Sequence, residues 1–438
     1  MTVTTIRPPH GGALVDLLAG ADESTELANR AAEWPGWRLT RRQRCDLELL
    51  ACGGFSPLRT FLGADDYSAV CESMRLADGT LWPVPVTLDV PEEVAMTARP
   101  GRSLALRDHD DALLGVLHVS QSWRPRLAAE AAAVFGTTDP AHPGTSHLLR
   151  HAHPWYVTGE LKVLRLPSHP DFAHLRHTPA QVRAEFASRG WPRVVAFQTR
   201  NPLHRAHQEL TLRAARQADA HLLIHPVVGL TKPGDIDPGT RVRCYQAILR
   251  HYPQDRVLLS LLPLAMRMAG PREALWHAII RKNYGATHFI VGRDHAGPGV
   301  NSRGRPFYEP YAAQDLLRLH AGELGIDVMT FRRLVYVPSL SAYLPEDEAP
   351  ADGPVLSISG TELRQRLAEG RDLPAWFTPP EIAAELRRSY PLSNGPSIAA
   401  ANGAAPNGAA SNGAAPNGAA PNGRDGAAEG RVGARATA

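Results

Sequence analysis

The sequence predicts an α/β protein with four parts: a β-rich N-terminal domain, a Rossmann-like domain with a parallel sheet, a small C-terminal domain and a disordered tail. Three observations carry this. Short apolar runs bounded by turn residues fill the first third of the 438-residue chain. The middle third alternates such runs with helical stretches, the signature of βαβ units and a parallel sheet. The end repeats a five-residue unit, Asn-Gly-Ala-Ala-Pro or Asn-Gly-Ala-Ala-Ser, over residues 402–422.

In chain order, residues 41–51 (RRQRCDLELLA) predict a helix containing Leu47, Leu49 and Leu50, and 82–90 (WPVPVTLDV) and 113–119 (LLGVLHV) predict strands. The predicted parallel sheet takes its strands from 193–197 (RVVAF), 220–228 (AHLLIHPVV), 256–262 (RVLLSLL) and 287–291 (THFIV). Helices are expected over 203–218, 241–251 and 271–284. The expected boundaries are 1–165, 166–330, 331–391 and a tail at 392–438. The tail has almost nothing apolar to bury, so ordering it would cost backbone entropy with no return. A solenoid would need a longer period and hydrophobic positions that the repeat lacks.

Composition narrows the function. Hydrophobic residues are 43% and charged residues 21%, as in ordinary globular proteins. Lys and Arg number 47 against 44 Asp and Glu, a net charge of +3, too balanced to indicate nucleic acid or membrane binding. Cys45, Cys52, Cys71 and Cys244 form no Cys-x-x-Cys pair, which argues against a disulfide framework or zinc ribbon. No apolar run approaches the roughly 18–20 residues of a membrane span, and the first residues lack the apolar stretch of a secretory signal. The expectation is a cytoplasmic protein. The cluster His147, His151 and His153 has near-metal spacing, but among 19 histidines some clustering is expected, and no protein metal site is predicted.

In parallel sheets, ligands bind beyond the carboxyl ends of the strands. The loop after 193–197 reads Gln198-Thr199-Arg200-Asn201-Pro202-Leu203-His204-Arg205-Ala206-His207. Pro202 pushes Asn201 out of the helical region, so a helix should begin close to Leu203. His204 and His207, three apart, would then share the face of its first turn. Unpaired N–H groups and the positive helix end lie at the same place. With Arg200, Gln198 and Asn201 added, the loop predicts a cradle for a phosphate-like anion. A zinc reading is weaker, because metalloprotease histidines sit four apart with a glutamate between them. The loop after 287–291 reads Gly292-Arg293-Asp294-His295-Ala296-Gly297, whose glycines let backbone N–H groups approach an anion.

The stretches QTRNPLHRAH (198–207) and GRDHAG (292–297) resemble the signature loops of the ATP sulfurylase, or sulfate adenylyltransferase, family. The likeness runs through PHGG (9–12), DLELLACGGFSPL (46–58), MRLADGTLWPVPVTLDV (74–90), GLTKPGDI (229–236), MRMAGPREALWHAIIRKNYG (266–285) and SISGTELRQRL (357–367). It implies a nucleotidyltransferase that joins ATP and sulfate into adenosine 5′-phosphosulfate and pyrophosphate. It assigns Gln198, Arg200 and the N–H of Ala296 to sulfate, and Thr199, Arg200 and Asn201 to the catalytic loop. His204 and His207 match the family's histidine pair, which binds the ATP phosphates and stabilises the transition state. The implied ATP contacts are Gln198, Arg200, Asn201, His204, His207, Gly292, Arg293, Asp294 and His295, with Leu334 lining the adenine pocket. Magnesium would accompany ATP. A homodimer and a separate adenylylsulfate kinase are the implied partners.

Two departures stand out. Where many relatives continue from a stretch like ELRRSYP (385–391) into a kinase domain, this chain continues into the repeats, and no G-x-x-x-x-G-K-[ST] occurs in it. The segment 337–343 (VPSLSAY) matches the family loosely. The sequence also leaves two alternatives: the same enzyme working in reverse to make ATP, and a catalytically silent nucleotide-binding paralogue. SISGTELR (357–364) reads either as a phosphate-facing helix start or as a plain capping box.

Overall fold

The computed structural model describes residues 6–232 and 234–390. The predicted tail at 392–438 lies outside the described residues.

The first sheet contains β1 (Gly36–Arg38), β2 (Leu88–Val90), β3 (Ser103–Arg107), β4 (Leu113–Trp123) and β5 (Trp155–Val163), in the order β1-β3-β4-β5-β2. β1 runs parallel to β3 and the other pairs are antiparallel. The run at 82–90 is a strand only at its end. Pro83 and Pro85 have no N–H to give to a ladder, so the chain before Leu88 stays outside the sheet. β4 runs past the predicted Val119 through a register shift between Val119 and Gln121. The predicted helix at 41–51 forms, opened by a reciprocal cap between Thr40 and Gln43.

The second sheet contains β6 (Val194–Phe197), β7 (His221–Ile224), β8 (Val257–Leu259), β9 (His288–Val291) and β10 (Asp327–Thr330), all parallel. Its order is β10-β9-β6-β7-β8. Chain progression therefore reverses between β6 and β9, and at such a switch point a crevice opens at the carboxyl ends of the strands. β6 is buried throughout, as a strand covered on both faces must be. The intervening helices are Arg205–Gln217, Pro238–Ile248 and Pro271–Asn283.

Helix Pro271–Asn283 carries Trp276, whose ring lies 4.9 Å from Phe55 and 6.4 Å from Trp82. One core therefore runs from the first sheet into the second. Gly270, just before the helix, has φ +52°, and a Cβ there would fall 2.4 Å from the Tyr308 ring, so only glycine fits. Beyond β10 come the hairpin β11 (Leu334–Val337) and β12 (Ala342–Pro345), then helices Gly360–Ala368 and Pro380–Ser389. Ile382 and Leu386 join Val242 and Ile248 in a second core. Phe377 O accepts from Arg205 N–H (3.1 Å), which seats this C-terminal segment at the start of the helix after β6.

Candidate active site

The loop after β6 is shaped from behind. Thr199 Oγ1 accepts from Asn201 N–H (3.0 Å) and lies 3.1 Å from Asn201 O, closing a tight turn. Two residues one helical turn apart on Pro238–Ile248 hold its carbonyls: Arg241 Nη1 donates to Arg200 O (3.0 Å) and Tyr245 Oη to Asn201 O (2.9 Å). With its carbonyls tied into the protein, the loop has side chains and amides left for the crevice.

The helix starts later than the sequence predicts. It begins at Arg205, and His204 is an extended N-cap residue rather than part of the first turn. That geometry lets His204 N–H donate to His207 Nδ1 (3.2 Å). His207 is thereby fixed as the tautomer with its proton on Nε2, a neutral donor. Burial lowers its pKa to about 4. His204 is also held well below the usual histidine range, by burial and then by His207. Its ring stacks on Phe377 (4.3 Å) and Nδ1 lies 3.0 Å from Thr378 Oγ1.

Arg200 is paired through Nη1 with Asp235 Oδ1; the side chains are 15% and 4% exposed. Asp235 Oδ2 and Gln198 Oε1 are buried without a partner among the described residues. Across the crevice, the loop after β9 bends sharply. Asp294 and Ala296 have φ +54° and +53° on either side of His295. Such alternation of backbone hand turns successive N–H groups toward one concavity.

Two adjoining cavities result, of about 460 and 320 Å³. They share Asn201, Ala206, His207, Arg293, Arg333 and Leu334. The smaller is bordered by Gln198, Thr199, Arg200, Gly292, Asp294, His295 and Ala296; His204 borders the larger. Every sequence-predicted site residue therefore lines one cavity or both. The larger has an apolar wall that includes Ile236, Leu356, Ile358 and Trp376, suited to a flat aromatic base.

Some other lining residues carried no predicted role, and the stretch 357–364 was left between two readings. Asp235 lies in the 229–236 stretch, which carried no residue role, and Arg333 immediately precedes Leu334. Ser357, Ser359 and Gly360 also line the larger cavity. Ser359 caps helix Gly360–Ala368 by accepting from Glu362 N–H (3.1 Å), as the capping signal anticipates, and Ser357 Oγ accepts from Arg333.

Among the described residues, Asp235 and Asp294 are the carboxylates that border the two cavities, each beside an arginine. That donor set does not make a magnesium cage, which needs several free oxygen ligands. The one metal-like cluster among the described residues, Asp108, His109 and Asp110, lies in the β3–β4 turn. Among them, too, no helix is long and apolar enough to cross a membrane.

The ATP-sulfurylase family model matches residues 173–389, and a PUA-like domain model matches 7–166. Sulfate adenylyltransferase of Eremothecium gossypii is 53% identical over 384 residues, 87% of this chain and 77% of that protein. Its counterpart in Saccharomyces cerevisiae is 54% identical over 387 residues, 87% of this chain and 76% of that protein. A solved structure described as a hexameric APS kinase from Thiobacillus denitrificans aligns with a TM-score of 0.73. Its identity is 33%, covering 89% of this chain and 69% of that one.

Proposed function

This chain belongs to the ATP-sulfurylase family, and from that premise we propose that it transfers the adenylyl group of ATP to sulfate. A sulfate oxygen attacks the α-phosphorus, one P–O bond forms, and the bond to the β,γ-pyrophosphate breaks. Sulfate is a weak nucleophile and no protein nucleophile is required, so catalysis rests on alignment and on donors aimed at developing charge.

The observation that carries this reading is the meeting of the β6 and β9 loops around two joined cavities at the switch point of the sheet. Sulfate is assigned to the smaller cavity, against the Arg200 guanidinium, Gln198 and the Ala296 N–H. Arginine's planar fork of donors matches an oxyanion. Adenosine is assigned to the larger cavity, beside the Leu334 backbone. Asn201 and Arg293 border both cavities, at the junction where the α-phosphate would lie, and Gly292, Asp294 and His295 flank it on the side of the smaller one. His204 and His207 face the phosphoryl oxygens, and His207 offers its Nε2–H. Thr199 keeps the turn closed. ATP arrives as its magnesium complex, with the ion held by the phosphates.

A cytoplasmic location is supported by the four free thiols. The hexameric description of the solved relative supports self-association.

Purified protein with ATP, magnesium and sulfate, plus a pyrophosphatase to draw the reaction forward, should form adenosine 5′-phosphosulfate and no 3′-phosphorylated product. Failure to form the phosphosulfate under these conditions refutes the assignment. Appearance of the 3′-phosphorylated nucleotide without added kinase refutes the single-activity reading.

A further inference from the structure

Helix Pro271–Asn283 is apolar and buried on nearly every side, yet Glu273, His277 and Arg281 recur along it at four-residue intervals. They share one face, and none is exposed. Ionisable groups kept in an interior are strongly unfavourable unless they are paired and hydrogen-bonded. The partners of this row lead toward the site. Glu273 accepts from Arg267 N–H (2.9 Å) and Ala269 N–H (3.0 Å), pinning the segment ahead of the helix. Its Oε1 lies 3.5 Å from His277 Nε2. His277 Nδ1 lies 3.0 Å from His295 Nε2, in the loop after β9. A second tie runs alongside, because Gly270 N–H donates to Ala296 O (3.2 Å).

The proton order follows from the carboxylate end. The Glu273 carboxylate favours a proton on His277 Nε2, leaving Nδ1 to accept from His295 Nε2–H. Burial lowers the pKa of both histidines, so the chain is neutral beyond the glutamate. What it holds is a loop that resists its own shape. Non-glycine residues are unfavourable in the left-handed region, and Asp294 and Ala296 flank His295 in that region. Contacts to the rest of the protein must offset this, and His277 supplies the side-chain hydrogen bond made by His295.

We infer that Glu273 and His277 are positioning residues for adenylyl transfer: acting through His295, they hold residues 292–297 in the bent form that turns the Ala296 N–H to the sulfate cavity. The inference rests on the assignment of that loop to sulfate. Neither residue borders the two cavities, so neither touches substrate directly.

The test uses the full chain and three near-isosteric variants. An asparagine amide occupies the place of histidine Nδ1 and can still accept from His295, whereas a glutamine amide occupies that of Nε2 and cannot. His277→Gln and Glu273→Gln should each raise the sulfate KM about fivefold or more, with affinity for a non-hydrolysable ATP analogue changed less than twofold by calorimetry. His277→Asn should show less than half of the His277→Gln effect on a logarithmic scale. Unchanged sulfate KM in either glutamine variant overturns the inference. So does an asparagine variant as poor as the glutamine one, or ATP-analogue affinity falling in step with sulfate, which would mean general loosening. If the unaltered protein forms no adenosine phosphosulfate, the functional assignment fails instead.

Discussion

Replacing Arg200 by alanine does two separable things. It takes the guanidinium out of the smaller cavity, and it strands the Asp235 carboxylate where only 4% of that side chain is exposed and Oδ2 already lacks a partner. Breaking one side of such a pair typically costs about 3–5 kcal/mol. Arg200→Ala should therefore lower stability by roughly 3–5 kcal/mol, and adding Asp235→Asn should recover most of it by removing the stranded charge. Sulfate handling should not recover. Charge-assisted hydrogen bonds contribute about 1.5–3 kcal/mol, so kcat/KM for sulfate should fall about 10- to 150-fold in the single and the double variant alike. Pyrophosphate release at varied sulfate and saturating ATP, with denaturant unfolding of the same preparations, reads both quantities. A double variant that regains wild-type stability and wild-type sulfate kinetics would falsify the assignment, because Arg200 would then serve only to neutralise Asp235.

Two further outcomes follow from the histidines. His204→Asn removes the imidazole and leaves a residue suited to the N-cap position, so turnover should drop about a hundredfold, the scale of losing one preorganised donor, with the sulfate KM within twofold; unchanged turnover means the ring does not serve the transition state. His142 caps helix Pro143–Arg150 by accepting from Gly144 and Thr145 N–H through Nδ1 (3.1 and 3.2 Å), and burial holds its pKa at about 4. Its folded pKa lies below the unfolded value, so the unfolded chain binds the proton first and stability falls as pH drops below about 6.5. Between pH 6.5 and 5 this one residue should cost about 1.6 kcal/mol. Urea unfolding at both pH values should show that loss reduced by a similar amount in His142→Asn, a good N-cap without a titrating group. Equal pH dependence in both proteins refutes the reading.

How much of this was legible in the sequence depended on distance along the chain. Four strands of the parallel sheet, β6 to β9, were legible as short apolar runs, because they are largely buried; the fifth, β10, was not, because this edge strand reads DVMT and only Met329 is buried. The spatial order was not legible either, since nothing local encodes the reversal between β6 and β9. Residues 82–90 misled because the apolar pattern counts side chains, while Pro83 and Pro85 act through the missing N–H. His204 was placed in a helical turn because Pro202 marks a helix start; the structure gives it the extended cap instead, where its N–H reaches His207. Asp235 stands 35 positions from Arg200, and no local rule pairs them. The row of Glu273, His277 and Arg281 was visible as a four-residue spacing of ionisable groups within MRMAGPREALWHAIIRKNYG. Its direction, toward His295, needed the fold.

The electrostatics of the free site fit the proposed division of work between histidines and arginines. Arg200, Arg293, Arg332, Arg333 and Arg364 border the cavities against two bordering carboxylates, an excess of positive charge that awaits anions. Cationic histidines added to that excess would meet like charge and lose their hydration, and burial instead keeps His204 and His207 neutral. A neutral N–H dipole costs little to bury when it has a partner, and the arrival of one anion does not cancel it. It gains most where negative charge grows, on the α-phosphoryl oxygens as the pyrophosphate departs. Arginine, permanently charged, suits the anion that is present from the start. On the proposed assignment the arginines would serve binding of the ground state, while the neutral histidines, with His207 fixed in tautomer by the His204 N–H, would be kept for the transition state.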